Sequence, residues 1–401
     1  MKVELDNKNE ALLCFLFFLP QMNYYVAAIL SSYGIQTITP FVYFFLILTG
    51  IYSVLRNLRY RKCFLWSFGM IVVLLLSLIV NWNVTEYMIT DSHSLFSSPV
   101  IMLCTIYFPI FLILLTSVNL DKLINIAVNY SAVIIVLSAI AFVNYVFVQR
   151  QSMPDYMTFA YMIVTPIMIC AISVIQGRKL NLLWAVIGYI LILVGGCRGA
   201  LLTVSLFFLF CFIKFFTTRG KMFIIKCIVA LMVILVLINL NNILNGMALI
   251  LEGFGYKSRV FASLTGTSYG GETNTFFSGD GRNDIWKMSW NHVRVVGYGL
   301  FGDRTVVKNE YNNASYAHNW LLEMLVSFVL WIVLKSIIVA NRSKNTTLVL
   351  LSYAVFCIIM VKHFISASFA SSIDFWFYLG IGYCIIETEK NTEIAEVVGV
   401  E

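Results

Sequence analysis

Charge is scarce in this chain. Asp, Glu, Lys and Arg make up 12% of the 401 residues, 60% are hydrophobic, and the mean hydropathy is +0.87. No stretch has the composition of a soluble domain, and there is no repeat of fixed period and no low-complexity tract. The nine cysteines sit singly, mostly within apolar runs, with no Cys-x-x-Cys among them. That pattern excludes a disulfide framework and a cysteine zinc site. Histidine is rarer still. His93, His292, His318 and His363 contain no pair at metal-ligand spacing, so no metal and no cofactor are expected. The formal net charge of +7 needs no nucleic acid to explain it, because the distribution of Lys and Arg accounts for it.

What remains is a series of long apolar runs. A membrane-spanning helix takes about 20 mostly apolar residues. Twelve stretches qualify: 11–31, 38–55, 63–82, 99–118, 123–148, 157–175, 182–196, 199–216, 222–243, 320–340, 346–365 and 373–386. The seventh and the last are short. The runs do not alternate polar with apolar residues, as strands of a membrane barrel would. Backbone groups in lipid must be satisfied internally, so the runs predict helices. The first run follows acidic residues and lacks a small-residue cleavage pattern, so it reads as a span rather than a cleaved signal peptide.

Lys and Arg set the orientation. Arg56, Arg59, Arg61, Lys62, Lys122, Arg178, Lys179, Lys214, Arg219, Lys221, Lys226, Lys335, Arg342 and Lys344 fall in one set of loops. With Lys2, Lys8 and Lys390 at the ends they number seventeen, against Arg150, Arg198 and Lys362 in the opposite short loops. The expected protein is an all-α polytopic membrane protein with both termini cytoplasmic. Spans one to nine occupy residues 1–243. A large outer loop covers 244–319 and bears part of the active site. Spans ten to twelve and a short, acidic, frayed tail from Glu387 follow over 320–401.

That loop departs from the rest in composition. It holds eleven of the twenty-three glycines, seven of the twenty-seven Lys and Arg, and two of the four histidines. Charges buried in a membrane mark ion pathways, yet the middle of every expected span has none. Glu323, Lys362, Asp374 and His363 all fall near outer ends. Chemistry is therefore expected at the outer membrane surface.

Three constellations stand there. Gly195-Gly196-Cys197-Arg198-Gly199-Ala200 joins spans seven and eight. Arg198 at an apolar–water boundary suits phosphate, which a planar guanidinium grips with two donors at once. A snorkelling arginine would look the same. Ser278-Gly279-Asp280-Gly281-Arg282 precedes an amphipathic stretch carrying Ile285, Trp286, Trp290 and Val293, with Asp280 as its N-cap. Arg282 would sit at a helix N-terminus, where backbone N–H groups also favour an anion. An ordinary interfacial helix fits equally. Ala317-His318-Asn319-Trp320 opens span ten, with Glu323 one turn on. His318 is able to accept a proton near neutral pH, or is simply a solvated cap. Glu323 needs a partner, for which Arg198, Arg282 and Lys362 are candidates. Between them lies Gly297-Tyr298-Gly299, whose ring would stack on sugar or anchor at the interface.

The order of these motifs, an Arg-Gly-Ala turn, Ser-Gly-x-Gly-Arg-x-x-Ile-Trp, a Gly-x-Gly turn and His-Asn opening the next span, resembles the bacterial O-antigen polymerase and O-antigen ligase superfamily. Cys197 stands where that family often has Ser, Val296 where it often has Pro, and Ser327 and Phe328 where it often has Gly. The resemblance implies glycosyl transfer at the outer face of the bacterial cytoplasmic membrane, without metal or nucleotide sugar. The donor would be a glycan on undecaprenyl diphosphate. Arg198 and Arg282 would take the diphosphate, and His318 would orient or deprotonate the acceptor hydroxyl. Glu323 would position His318 or an arginine, while Asn319, Trp286 and Tyr298 would contact substrate. Membrane lipid, a Wzz-like chain-length regulator and a flippase are the implied partners. A polymerase of O-antigen or capsule repeat units fits the length and short loops somewhat better than a ligase to lipid A–core. A polysaccharide or small-solute transporter is the rival from another class. A non-catalytic scaffold is a third reading.

Overall fold

The computed structural model describes residues 2–35, 38–80, 98–116, 118–149, 155–195, 197–217, 327–343, 345–363 and 372–398, with 245–246, 249–250 and 252–253. Nearly all of them are helical, and none is in a strand. The helices are α1 (Lys2–Ser31), α2 (Ile38–Asn57), α3 (Arg61–Val80), α4 (Pro99–Met102), α5 (Phe108–Leu114), α6 (Leu120–Val143), α7 (Tyr156–Ile175), α8 (Asn181–Gly195), α9 (Arg198–Thr217), α10 (Ser327–Arg342), α11 (Thr346–Phe356) and α12 (Ile373–Val398). Three π-helical segments interrupt or extend them: π1 (Leu103–Tyr107), π2 (Asn144–Val148) and π3 (Cys357–Lys362). Among the described residues, four helical stretches are long and apolar enough to cross a membrane, namely Asn9–Ser31, Thr39–Asn57, Leu120–Val148 and Tyr156–Ile175. Val100–Leu114, Asn181–Gly195 and Thr346–Lys362 are shorter apolar helices. The expected ninth span, 222–243, lies outside the described residues, as does most of the expected loop.

The chain forms two compact units, one of Met1–Ala27, Ile35–Tyr130 and Gly279–Glu401, the other of Ala28–Gly34 and Ser131–Ser278. In the first, α12 packs against α5, α10 and α11, and α2 against α5 and π1. Helices in lipid gain little from hydrophobic burial against one another, so close van der Waals packing over small residues holds them. Gly380 of α12 admits the Leu114 side chain, whose Cδ1 would lie 2.6 Å from an added Cβ, and Gly382 admits Ile332. Gly50 of α2 is tighter still. A Cβ there would sit 1.5 Å from the carbonyl oxygen of Thr105 in π1, so α2 touches backbone and only hydrogen fits. Aromatic rings fill the rest. Phe17 stacks on Phe377 with centroids 4.1 Å apart, and Phe111 meets Trp66 edge-on at 5.0 Å.

Two features differ from the sequence expectation in this unit. The first helix begins in the polar segment ahead of the apolar run and buries Glu10 completely. Glu10 Oε1 accepts from the backbone N–H of Asn119 at 2.9 Å, just ahead of α6, which anchors the carboxylate. The residues after Glu387, expected to fray, continue α12 to Val398, and Glu387 is ion-paired with Lys62 of α3.

In the second unit α7 packs against α8, and α9 against both. An added Cβ on Gly188 would lie 2.5 Å from Ile167 Cγ1, so this glycine sets the closeness of α7 and α8. Asp155 caps α7, its Oδ1 accepting from Thr158 N at 3.0 Å. The helix ends in a Schellman turn, with Arg178 N bonded to Ser173 O, Gly177 N bonded to Val174 O, and Gly177 at φ +100°. The extra backbone turn of π2 turns Asn144 and Tyr145 toward the end of α1. Asn144 Nδ2 donates to Ser32 Oγ at 2.7 Å and Tyr145 OH to Ala28 O at 3.2 Å.

Candidate functional site

Of the expected catalytic and substrate-binding residues, Arg198 alone lies among the described residues. Arg282, Trp286, Tyr298, His318, Asn319 and Glu323 lie outside them. Arg198 is the first residue of α9 rather than part of an open turn. It follows the buried Cys197, whose carbonyl accepts from Leu201 N at 3.1 Å, and it is half-buried. Behind it Gly195 ends α8 against the Phe159 ring, 3.4 Å from an added Cβ. Ordinary helix-packing chemistry thus fixes the backbone on both sides of the guanidinium. Thr203 Oγ1 donates to Gly199 O at 2.8 Å, one turn on.

A second cluster lies in the first unit. Lys362, the last residue of π3, forms an ion pair with Asp374 in the first turn of α12. Both are almost fully buried, at 3% and 4% exposure. Glu323, for which Lys362 was one of three candidate partners, lies outside the described residues. The two charges stand at complementary helix ends, a cation after the C-terminus of one element and an anion at the N-terminus of the next. Each helix dipole therefore supports the charge it faces. His363 is wholly buried beside the pair. Its Nδ1 lies 2.8 Å from Ile358 O, and a carbonyl can only accept, so Nδ1 carries the proton. Its ring meets Phe375 edge-on at 5.4 Å. His363 Nε2, Trp376 Nε1 and both amide atoms of Gln21 are buried without partners among the described residues.

Gln21 belongs to the same level of the unit. Residues 9 and 10 of α1 bond to Thr116 and Asn119, Cys384 Sγ reaches Val118 O at 3.8 Å, and Phe17 stacks on Phe377. α1 and α12 therefore run antiparallel, with residue 17 level with 377 and residue 21 level with 373. Two π segments also come to this end of α12, since π1 and π3 both contact it. Tyr107, the last residue of π1, lies within electrostatic range of Asp374. Such segments cost backbone regularity and gather at functional places.

This cluster left a partial signal in the pattern of charges. Lys and Asp at the facing ends of consecutive apolar runs are natural partners. Nothing in the composition marks a π segment, and the orphaned imidazole nitrogen depends on one. Chemically the cluster offers a compensated charge pair and a buried imidazole in an aromatic setting. No group of three His, Cys, Asp or Glu side chains comes together among the described residues.

A family model described as O-antigen ligase matches residues 182–328, a segment that runs from α8 to the start of α10 and includes Arg198, Arg282, His318 and Glu323. No curated protein and no solved structure matches the chain.

Proposed function

We propose, from the family match over residues 182–328, that the chain is a member of the O-antigen ligase/polymerase superfamily and that it polymerises oligosaccharide repeat units carried on undecaprenyl diphosphate. The observation that carries this reading is the span of the family match. It covers the three polar constellations and leaves out most of the apolar helices. The reaction would take place at the outer face of a bacterial cytoplasmic membrane, on a body of about twelve spans with both termini cytoplasmic and the 244–319 loop outside. The bias of seventeen Lys and Arg to three supports that orientation. So does the gathering of Arg61, Lys62 and Lys122 around Glu387 of α12, about four turns from Asp374.

In the proposed step the acceptor hydroxyl oxygen attacks C1 of the donor sugar as the bond from C1 to the diphosphate oxygen breaks. The leaving diphosphate keeps the electron pair, and direct displacement inverts the anomeric centre. Arg198 and Arg282 neutralise the charge that develops on the diphosphate, usually the largest single contribution to catalysis. His318 orients or deprotonates the hydroxyl, and Glu323 positions His318 or an arginine. Asn319, Trp286 and Tyr298 hold the glycan. No metal enters this scheme. A chain-length regulator and a flippase would act beside it.

The test is a deletion strain complemented with wild type, Arg198→Ala or Arg282→Ala, with surface glycan read on a gel. A single repeat on lipid A–core after deletion, and a ladder restored by wild type alone, supports a polymerase. Long chains accumulating on undecaprenyl diphosphate would make the protein a ligase. Lysine at either position should rescue only partly, because an ammonium lacks the two-pronged contact. Full ladders from both alanine variants at normal membrane levels would refute the diphosphate assignment.

A further inference from the structure

The middle of α12, around Glu387, borders a cavity that the glycosyl-transfer reading does not use. Its volume is about 590 Å³, within the range of small-molecule sites. It opens between the start of α3, the connection from α5 to α6, and the Tyr383–Thr388 stretch in the middle of α12, all in the first unit. Its lining holds three cations, Arg61, Lys62 and Lys122, and one carboxylate, Glu387. Lys62 is taken by Glu387. Neither Arg61 nor Lys122 pairs with a carboxylate among the described residues.

The neutral polar groups of the wall are largely spent on the protein itself. Thr388 Oγ1 donates to Cys384 O at 2.9 Å, Tyr383 OH to Glu387 Oε1 at 3.4 Å, and Thr116 Oγ1 to Ile113 O. Asn119 Oδ1 accepts from Lys122 N at 3.0 Å and so caps α6, which leaves its amide NH₂ as a donor. The groups still able to meet a ligand are therefore donors and positive charges. The Glu387 carboxylate, through its hydrogen bond, holds the Lys62 ammonium above the usual lysine value. Lys62 lies just ahead of the apolar run that starts at Cys63, and it stays charged at neutral pH. The lining also includes the apolar Leu114, Leu115 and Val118.

Donors without acceptors call for an anion rich in acceptor oxygens. Apolar residues in the same lining call for a hydrocarbon attached to it. We propose that this cavity binds a phosphate group carried on an apolar or amphiphilic molecule, with Arg61 and Lys122 as its principal ligands and Lys62 and the Asn119 amide beside them. A phosphate monoester or diester presents several oxygens to which a guanidinium and an ammonium donate together. The phosphate could come from a membrane lipid headgroup or from a soluble phosphate compound. The proposal stands apart from the glycosyl-transfer reading, because none of the residues assigned to that chemistry lines the cavity.

The experiment uses the full chain purified in detergent. Native mass spectrometry counts the lipid retained after incubation with cardiolipin, phosphatidylglycerol or phosphatidylcholine. Inorganic phosphate at millimolar concentration is the soluble probe, read as competition and as a rise in melting temperature. Arg61→Gln/Lys122→Gln should weaken retention by about tenfold for each cation removed, the ordinary worth of a charged hydrogen bond. Arg178→Gln/Lys179→Gln, exposed cations of the other unit, should leave it unchanged. Retention of anionic lipids that phosphate does not displace assigns a lipid source. Displacement and stabilisation by phosphate assign a soluble one. Equal retention by wild type and Arg61→Gln/Lys122→Gln overturns the proposal, as does retention of anionic lipid no better than of phosphatidylcholine. If the double variant melts early, Lys122→Gln alone serves, because that exposed side chain takes no part in the cap.

Discussion

Removing Lys362 alone should harm the protein more than removing the whole ion pair. Both side chains are nearly dry, at 4% and 6% exposure, among Phe375, Trp376 and the His363 ring. Lys362→Met keeps the length and apolar stem but leaves the Asp374 carboxylate without its buried counter-charge. Breaking a buried pair from one side costs about 3–5 kcal/mol, whereas replacing both partners with apolar groups is often neutral or better. The placement of each charge at a favourable helix end adds a further ~0.3–1 kcal/mol that the double variant also forfeits. Lys362→Met and Asp374→Leu should therefore each lower stability by roughly 4 kcal/mol, and Lys362→Met/Asp374→Leu by about 1 kcal/mol or less. For a chain of this size that is a fall in melting temperature on the order of 8 °C for the single variants, taking ~2 °C per kcal/mol. The double variant should return to within about 2 °C of wild type. Intrinsic tryptophan fluorescence on heating in one detergent reads all four proteins. Additive losses, with the double variant the least stable, would refute the reasoning, because they would mean that each group is satisfied without the other.

Two smaller predictions concern the helices. Gly50→Ala should yield no monodisperse protein on size exclusion, since its Cβ would stand 1.5 Å from a backbone oxygen that cannot step aside. Gly69→Ala, with nothing within 4 Å, should fold and gain up to about 1 kcal/mol of helix propensity. Asp155→Ala should cost about 1 kcal/mol through loss of the α7 cap, with Asp155→Asn close to wild type, as measured by melting.

The apolar runs made the helices legible because lipid leaves the backbone no other way to satisfy itself. They were less informative about ends. A run stops being apolar where polar residues begin, but α1 carries on through Glu10 because Asn119 N–H receives its carboxylate, and α12 carries on past Glu387. Both are tertiary facts that hydropathy does not contain. The motif order pointed to the segment that the family match then covered, 182–328. Of that site only the Arg198 end is described. Its position as the opening residue of α9 follows from the Gly195 and Cys197 contacts more than from any turn propensity of the glycines. The Lys362–Asp374 pair was half visible. Both charges had been placed near the same face, but their meeting depends on π3, which shifts the backbone register at the end of α11 by a residue that no composition announces.

The ring stack of Phe17 on Phe377 has a bearing on how the protein is made. Those residues are 360 positions apart in the chain, so α1 enters the membrane long before its neighbour α12 exists. The second unit draws nearly all of its residues from one continuous stretch and is ready to close during synthesis. The first unit must hold the face of Phe17 without its lasting neighbour until the final helix arrives. Its assembly is thus a post-synthetic event, and a ribosome stalled before α12 would leave a membrane-inserted but unfinished body for quality control to find.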